Sequence, residues 1–336
     1  MTLATSPYLS RPLYFPKTNT QEYIKRYQLE PAYKIGVYAD IVQAQAINPP
    51  AQKDSQHHNK TKLRGFSNSS RHAMIEFLAK IEDTPELFVT LTYSDDIADQ
   101  WYLTMREHFE AFRKRMEYYY PEIRAMWRIE FLPRKSGRLI NQLIPHWHLL
   151  VWLPKSVTPE HKALILANDG QLWRNNWHNI THSTDANHLA KFGCVVEPIK
   201  SRKHAYAYCS KYLAKENEEN VEAGRRWGRI GTFEQYAEIE TELTARQYIH
   251  FKRMLNAYLK AEALKRYKRQ KVTIPFRKLP LSHFMKFYRH FVKMNVSTGC
   301  SVFGLGYISQ EEHIGKRTIY KIIAMARQLA SDEYPV

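Results

Sequence analysis

Apolar and polar positions change period several times along this chain, and each change predicts an element. Residues 87–93 (LFVTLTY) are β-branched and aromatic and end at a Ser-Asp-Asp turn signal, which predicts a strand. From residue 101 to 120 the spacing becomes helical, with Leu103, Phe109, Phe112 and Met116 as the apolar stripe and Pro121 as the stop. Residues 123–132 read as a second strand, 133–137 (PRKSG) as a turn, and 145–152 (PHWHLLVW) as a third, buried strand. Pro159 opens a helix that runs to about residue 177, interrupted at Asp169-Gly170. Residues 193–199 (GCVVEPI) form a fourth strand, and 202–215 are helical again. The order β-α-β-β-α-β-α is a split βαβ arrangement, an α+β fold with an open antiparallel sheet and helices on one face.

Outside that block the pattern is weaker. Residues 1–80 form an N-terminal extension, partly irregular, with a polar, aperiodic stretch from 48 to 70. Beyond about residue 232 the chain reads as mostly helical. Residues 252–278 are dense in Lys and Arg, either a solvated helix face or a phosphate-contacting surface. Residues 309–323 read as helix, Gly-containing turn and helix, with 318–325 as a reading helix; an ordinary helical hairpin fits the same pattern. The expected domains are 1–80, 81–235, and a basic helical region over 236–336.

Charge narrows the partner. The 336 residues hold 50 Lys and Arg against 33 Asp and Glu, a formal net charge of +17, which points to a polyanion and first to nucleic acid. Three cysteines, widely spaced, form no disulfide framework and no CxxC pair, so a reducing cytosol is expected. No apolar run approaches a membrane span, and no signal-peptide core opens the chain, so a soluble protein without a membrane partner is expected.

The candidate chemistry begins in the third strand. Side chains alternate between faces, so His146 and His148 share one face while Trp147 packs into the other. Two imidazoles on a rigid strand are half of a divalent-metal site, or a pair of ordinary hydrogen-bonded histidines. The acidic ligand should come from the neighbouring strand, where Glu130 is the first candidate and Glu197 the reserve. The register that decides between them is not fixed by sequence. On the helix after the fourth strand, Tyr208 and Tyr212 are four apart and share a face, beside Lys211 and Lys215. Aromatics at helical spacing also make cores. As a nucleophile a phenol needs help, because with a pKa of about 10 only about one in a thousand is ionised at pH 7. Nearby cations favour the phenolate, and a metal neutralises charge gained by an attacked phosphodiester.

These residues together resemble the HUH endonuclease superfamily, in its rolling-circle replication initiators. Residues 88–93 (FVTLTY) resemble the first motif of that family, 145–151 (PHWHLLV) the second, and 208–215 (YCSKYLAK) the third, in the two-tyrosine form of some phage initiators. Residues 224–228 (GRRWG) resemble a segment that follows in phage and plasmid members of the filamentous-phage type. The resemblance covers about residues 85–230. It implies a palm-like, five-stranded antiparallel sheet whose central strands carry motifs one and two. It implies Mg²⁺ or Mn²⁺ at His146, His148 and Glu130, and nicking of single-stranded DNA at a replication origin in a bacterial cytoplasm. By position, Tyr208 would attack and form a 5′-phosphotyrosine, Tyr212 would serve strand joining at termination, and Lys211 would orient the phosphate. Thr90, Thr92, Lys215, Arg225, Arg226 and Trp227 would contact DNA. No Walker-type loop is present, so a host helicase and polymerase are expected partners. A relaxase or single-strand transposase with the same chemistry, a zinc hydrolase, and a non-catalytic DNA-binding regulator are the competing readings.

Overall fold

The computed structural model describes residues 30–39, 41–47, 66, 68–97, 100–167, 170–202, 205, 224–269, 294–295, 300–304 and 314–332. The chain divides into two compact units, residues 57–74 with 83–234, and residues 1–56 with 75–82 and 235–336.

The first of these carries the mixed α/β block. Its elements are β3 (Leu87–Leu91), α2 (Trp101–Tyr119), β4 (Arg124–Pro133), β5 (Leu143–Trp152), α3 (Pro159–Leu166), α4 (Gln171–Thr181), β6 (Cys194–Pro198) and β7 (Trp227–Ile230). The five strands form one sheet in the order β6-β3-β5-β4-β7, antiparallel at every junction. The two expected motif-bearing strands, β3 and β5, lie side by side within it. Alternation sends Val89, Leu91, Ile129, Trp147, Leu149 and Val151 to one face, where they are buried with Phe109 and Phe112 of α2 and Trp173 and Trp177 of α4. Trp147 stacks on Phe109 with ring centroids 3.9 Å apart.

Local signals explain the element ends. Thr158 caps α3, its hydroxyl accepting from the His161 N–H, and Pro159 occupies the first helical turn. Gly170 separates α3 from α4 at φ +79°, and a Cβ there would sit 2.4 Å from Val196 Cγ2, so glycine is required twice over. On α2 the buried stripe is Met105, Phe109, Phe112 and Met116. Leu103, expected in that stripe, is 66% exposed, because it sits two residues, about 200° of helix, from Met105. A single π-helical turn, His188–Phe192, leads into β6.

The second unit is not the purely helical region that the C-terminal pattern predicts. β1 (Pro31–Val37) and β2 (Ile41–Ala46) from the N-terminal extension join β8 (Ile239–Thr244), β9 (Met294–Asn295) and β10 (Cys300–Gly304) in a sheet of order β8-β1-β2-β10-β9. Helices α5 (Ala245–Arg269) and α6 (Ile314–Asp332) cover it through Phe251, Leu255, Ile319, Ile322 and Ala326. The turn expected at Gly315 is absent: residues 314–332 are one continuous helix. A glycine near a helix start costs about 1 kcal/mol at most, and burying three isoleucines outweighs it. The expected reading helix, 318–325, therefore lies inside α6 with Ile319, Ile322 and Ile323 turned into the core. Residues 305–313 lie outside the described residues. A helix of the N-terminal segment, α1 (Asn68–Lys80), is divided between the two units.

Candidate active site

The sheet face opposite the helices holds the polar cluster. Direct cross-strand partners share a face, and the register is unambiguous: Glu130 of β4 stands opposite His146, while Arg128 of β4 and Thr90 of β3 flank His148. The hairpin over 134–142 is pinned by Arg134, whose N–H bonds to the Gln142 carbonyl and whose guanidinium pairs with Asp95 at 2.7 Å. The structure thus brings Glu130, His146 and His148 together. Glu197, the reserve carboxylate, is exposed on β6 opposite Phe88, with β3 between it and the histidines.

Each imidazole is held at Nδ1. His146 Nδ1 donates to the Ile144 carbonyl at 3.0 Å; a carbonyl only accepts, so Nε2 carries the lone pair. His148 Nδ1 lies 3.1 Å from Thr90 Oγ1, and its ring stacks near Phe88. The two histidine rings are 6.4 Å apart between centroids and tilted by only 19°. Burial is the main force that lowers the His146 pKa to about 4, with positive charge on His148 and Arg134 adding to it and Glu130 and the Ile144 bond opposing it. His146 is therefore a neutral imidazole at pH 7, the form that ligates metals.

Glu130 is 1% exposed and Arg128 3%. The carboxylate lies 3.2 Å from Arg128 Nη1 and 3.5 Å from His148 Nε2, and the guanidinium sits 4.2 Å above the Phe66 ring. Two imidazoles and one carboxylate are a fitting donor set for Mg²⁺ or Mn²⁺. Among the described residues, no three His, Cys, Asp or Glu side chains converge as they stand into an ion-holding group. The carboxylate is instead engaged by Arg128 and His148.

The other expected site residues divide sharply. Thr90 contacts His148. Thr92, just past β3, accepts through its carbonyl from Trp177 Nε1 at 2.7 Å and His188 Nε2 at 2.9 Å. Arg225 is exposed, its Nε donating to the Trp227 carbonyl, and Trp227 is half-buried opposite Arg128. Arg226 is 4% exposed, its guanidinium 4.5 Å from the Phe131 ring. Tyr208, Lys211, Tyr212 and Lys215 lie outside the described residues. Tyr93, in the first motif, is 1% exposed against His108, and burial pushes its phenol up, which removes it as a nucleophile. Sequence reasoning missed Arg128 and Phe66. The signal for Arg128 was present: Arg and Glu at alternate positions of an otherwise apolar strand must share a face.

A family model of replication-associated proteins, of the ORF2 type, matches residues 86–217. That stretch contains β3 through β6, both histidines, Glu130 and the Tyr208–Tyr212 segment. No curated protein and no solved structure gives a significant match to the chain. No helix among the described residues is long and apolar enough to cross a membrane. The family match supports a replication-initiator family for this chain.

Proposed function

We propose that residues 83–234 carry a metal-dependent nickase that cuts one DNA strand at a replication origin and rejoins it at termination. The observation that carries this reading is the cross-strand pair Glu130–His146 beside His148, inside the stretch matched by the replication-associated family. The net charge of +17 supplies the electrostatics that hold a polyanion.

His146, His148 and Glu130 would hold Mg²⁺ or Mn²⁺, which when bound polarises the scissile phosphate and offsets its developing charge. The Ile144 carbonyl and Thr90 hydroxyl orient the two rings. Tyr208 is the proposed nucleophile: its oxygen forms a bond to phosphorus, the bond from phosphorus to the 3′-oxygen breaks, and that oxygen takes a proton. One phosphodiester replaces another, so the bond energy is kept in the 5′-phosphotyrosine. Lys211 favours the phenolate and orients the phosphate, and Tyr212 serves the joining step. Thr92, Lys215, Arg225, Arg226 and Trp227 are the proposed DNA-contacting set; the buried position of Arg226 gives it the role of holding Trp227 and β7 in place. A host helicase and polymerase act on the nicked origin, in a bacterial cytoplasm.

The test is a denaturing gel of labelled origin-strand DNA incubated with the protein and Mn²⁺. A protein-retained band that vanishes in His148→Ala, while that variant keeps DNA affinity, is expected. Absence of adduct on every origin-containing strand, with DNA binding intact, would leave only a DNA-binding regulator.

A further inference from the structure

The carboxylate of the proposed metal site is already in contact with a cation. Arg128 and Glu130 are alternate residues of β4, both nearly sealed from solvent, and their side chains meet at 3.2 Å. A guanidinium cannot shed its charge at any pH the fold survives. A divalent ion approaching Glu130 therefore meets a fixed positive charge on the same carboxylate. The guanidinium has a second seat, 4.2 Å over the Phe66 ring, which it need not leave if the carboxylate turns away.

Resting on the nickase reading, we propose that Arg128 is a positioning residue that competes with the divalent ion for Glu130. In the ion-free protein it neutralises the buried carboxylate and stabilises the sheet. When an ion binds, the carboxylate turns from Arg128 toward the histidines, and the guanidinium stays over Phe66. Arg128 thereby lowers metal affinity and keeps the site from holding an ion irreversibly. This explains why the donor set lies on one face without converging.

The competition predicts opposite effects on ion-free stability and ion affinity. Mn²⁺ titrated calorimetrically into full-length protein should bind Arg128→Met about tenfold tighter than wild type or more, because one fixed charge no longer opposes it. The ion-free melting temperature of that variant should fall, since a buried carboxylate has lost its partner, and Mn²⁺ should raise it by more than in wild type. Arg128→Gln, which keeps a donor toward Glu130 without charge, should also bind Mn²⁺ tighter and serves if the Met variant does not fold. Arg128→Lys should stay near wild type. The double variant Arg128→Met/Glu130→Gln should recover ion-free stability and lose the tight binding. Wild type that binds Mn²⁺ alongside Met and Gln variants of equal or weaker affinity would overturn this competition alone. No Mn²⁺ binding by wild type or any variant would overturn both the metal site and the competition.

Discussion

Thr90 Oγ1 and His148 Nδ1 lie 3.1 Å apart across the β3–β5 junction, where the two residues are direct cross-strand partners. A hydroxyl donates and accepts, so Thr90 satisfies either tautomer of the ring. With Nε2 protonated toward Glu130, Thr90 donates to Nδ1. With Nε2 given to a metal, Thr90 accepts from Nδ1–H. The strand pairing thus supplies an outer partner that serves both states of the proposed site.

Thr90→Val keeps the shape and β preference but ends that role. Because outer partners of metal-bound histidines typically contribute about 10–100-fold in affinity or activity, Mn²⁺ affinity and nicking should each fall by about tenfold. Global stability should change by less than about 1.5 kcal/mol, the net worth of one hydrogen bond. Isothermal titration with Mn²⁺ and a urea melt separate these effects. Unchanged Mn²⁺ affinity would make the Thr90 contact purely structural.

Tyr208→Phe should abolish the initial covalent adduct, and Tyr212→Phe should leave the adduct and impair joining of the displaced strand. The reasoning is chemical: a phenyl ring retains packing and removes the attacking oxygen. Single-turnover adduct formation and a strand-joining assay read the two steps. Equal adduct yield from both single variants, with none from the double, would make the two phenols interchangeable.

Much of the block around β3 to β6 is legible in the sequence because its signals are local. Alternation in 145–152 places both histidines on one face and gives Trp147 to the core, and Pro159 and Gly170 mark helix ends. What escapes depends on pairing between distant residues. The choice of Glu130 over Glu197 needs the β4–β5 register, and the Arg128 ion pair has to be seen against Phe66. β1 and β2 lie far in sequence from β8 and β10, so no local window shows their sheet. Gly315 reads locally as a turn, and the burial that keeps α6 continuous comes from tertiary packing.

Asp96 ties the loop after β3 to the segment after α4. Burial acts to raise its pKa, but hydrogen bonds from the Ser94 hydroxyl, the Thr184 N–H, and the Ser183 and Thr184 hydroxyls outweigh it and lower the value from 3.8 to about 2. A carboxylate with a depressed folded pKa stabilises the fold fully above its unfolded pKa. That contribution is lost as pH falls from about 4 through about 2. Asp96→Asn should flatten the fall in melting temperature over that window relative to wild type. Parallel curves for the two proteins would show that Asp96 gains nothing from these bonds.

Trp177 links the core to the catalytic strand. It is fully buried, meets Phe112 edge-on at 5.8 Å between centroids, and donates through Nε1 to the Thr92 carbonyl at 2.7 Å. Thr92 follows β3, two residues from Thr90, so this bond fixes the end of the strand that carries the partner of His148. Trp177→Ala should cost about 3–5 kcal/mol, from lost apolar burial and the cavity left behind. That is a large share of a typical domain stability of about 5–15 kcal/mol. Trp177→Phe refills part of the space but leaves the Thr92 carbonyl to His188 Nε2 alone, and should cost less, about 1–3 kcal/mol. Urea melts of the three proteins measure both steps. If Trp177→Ala stays within about 1 kcal/mol of wild type, against the loss expected for emptying a core site, the indole does not anchor this end of β3.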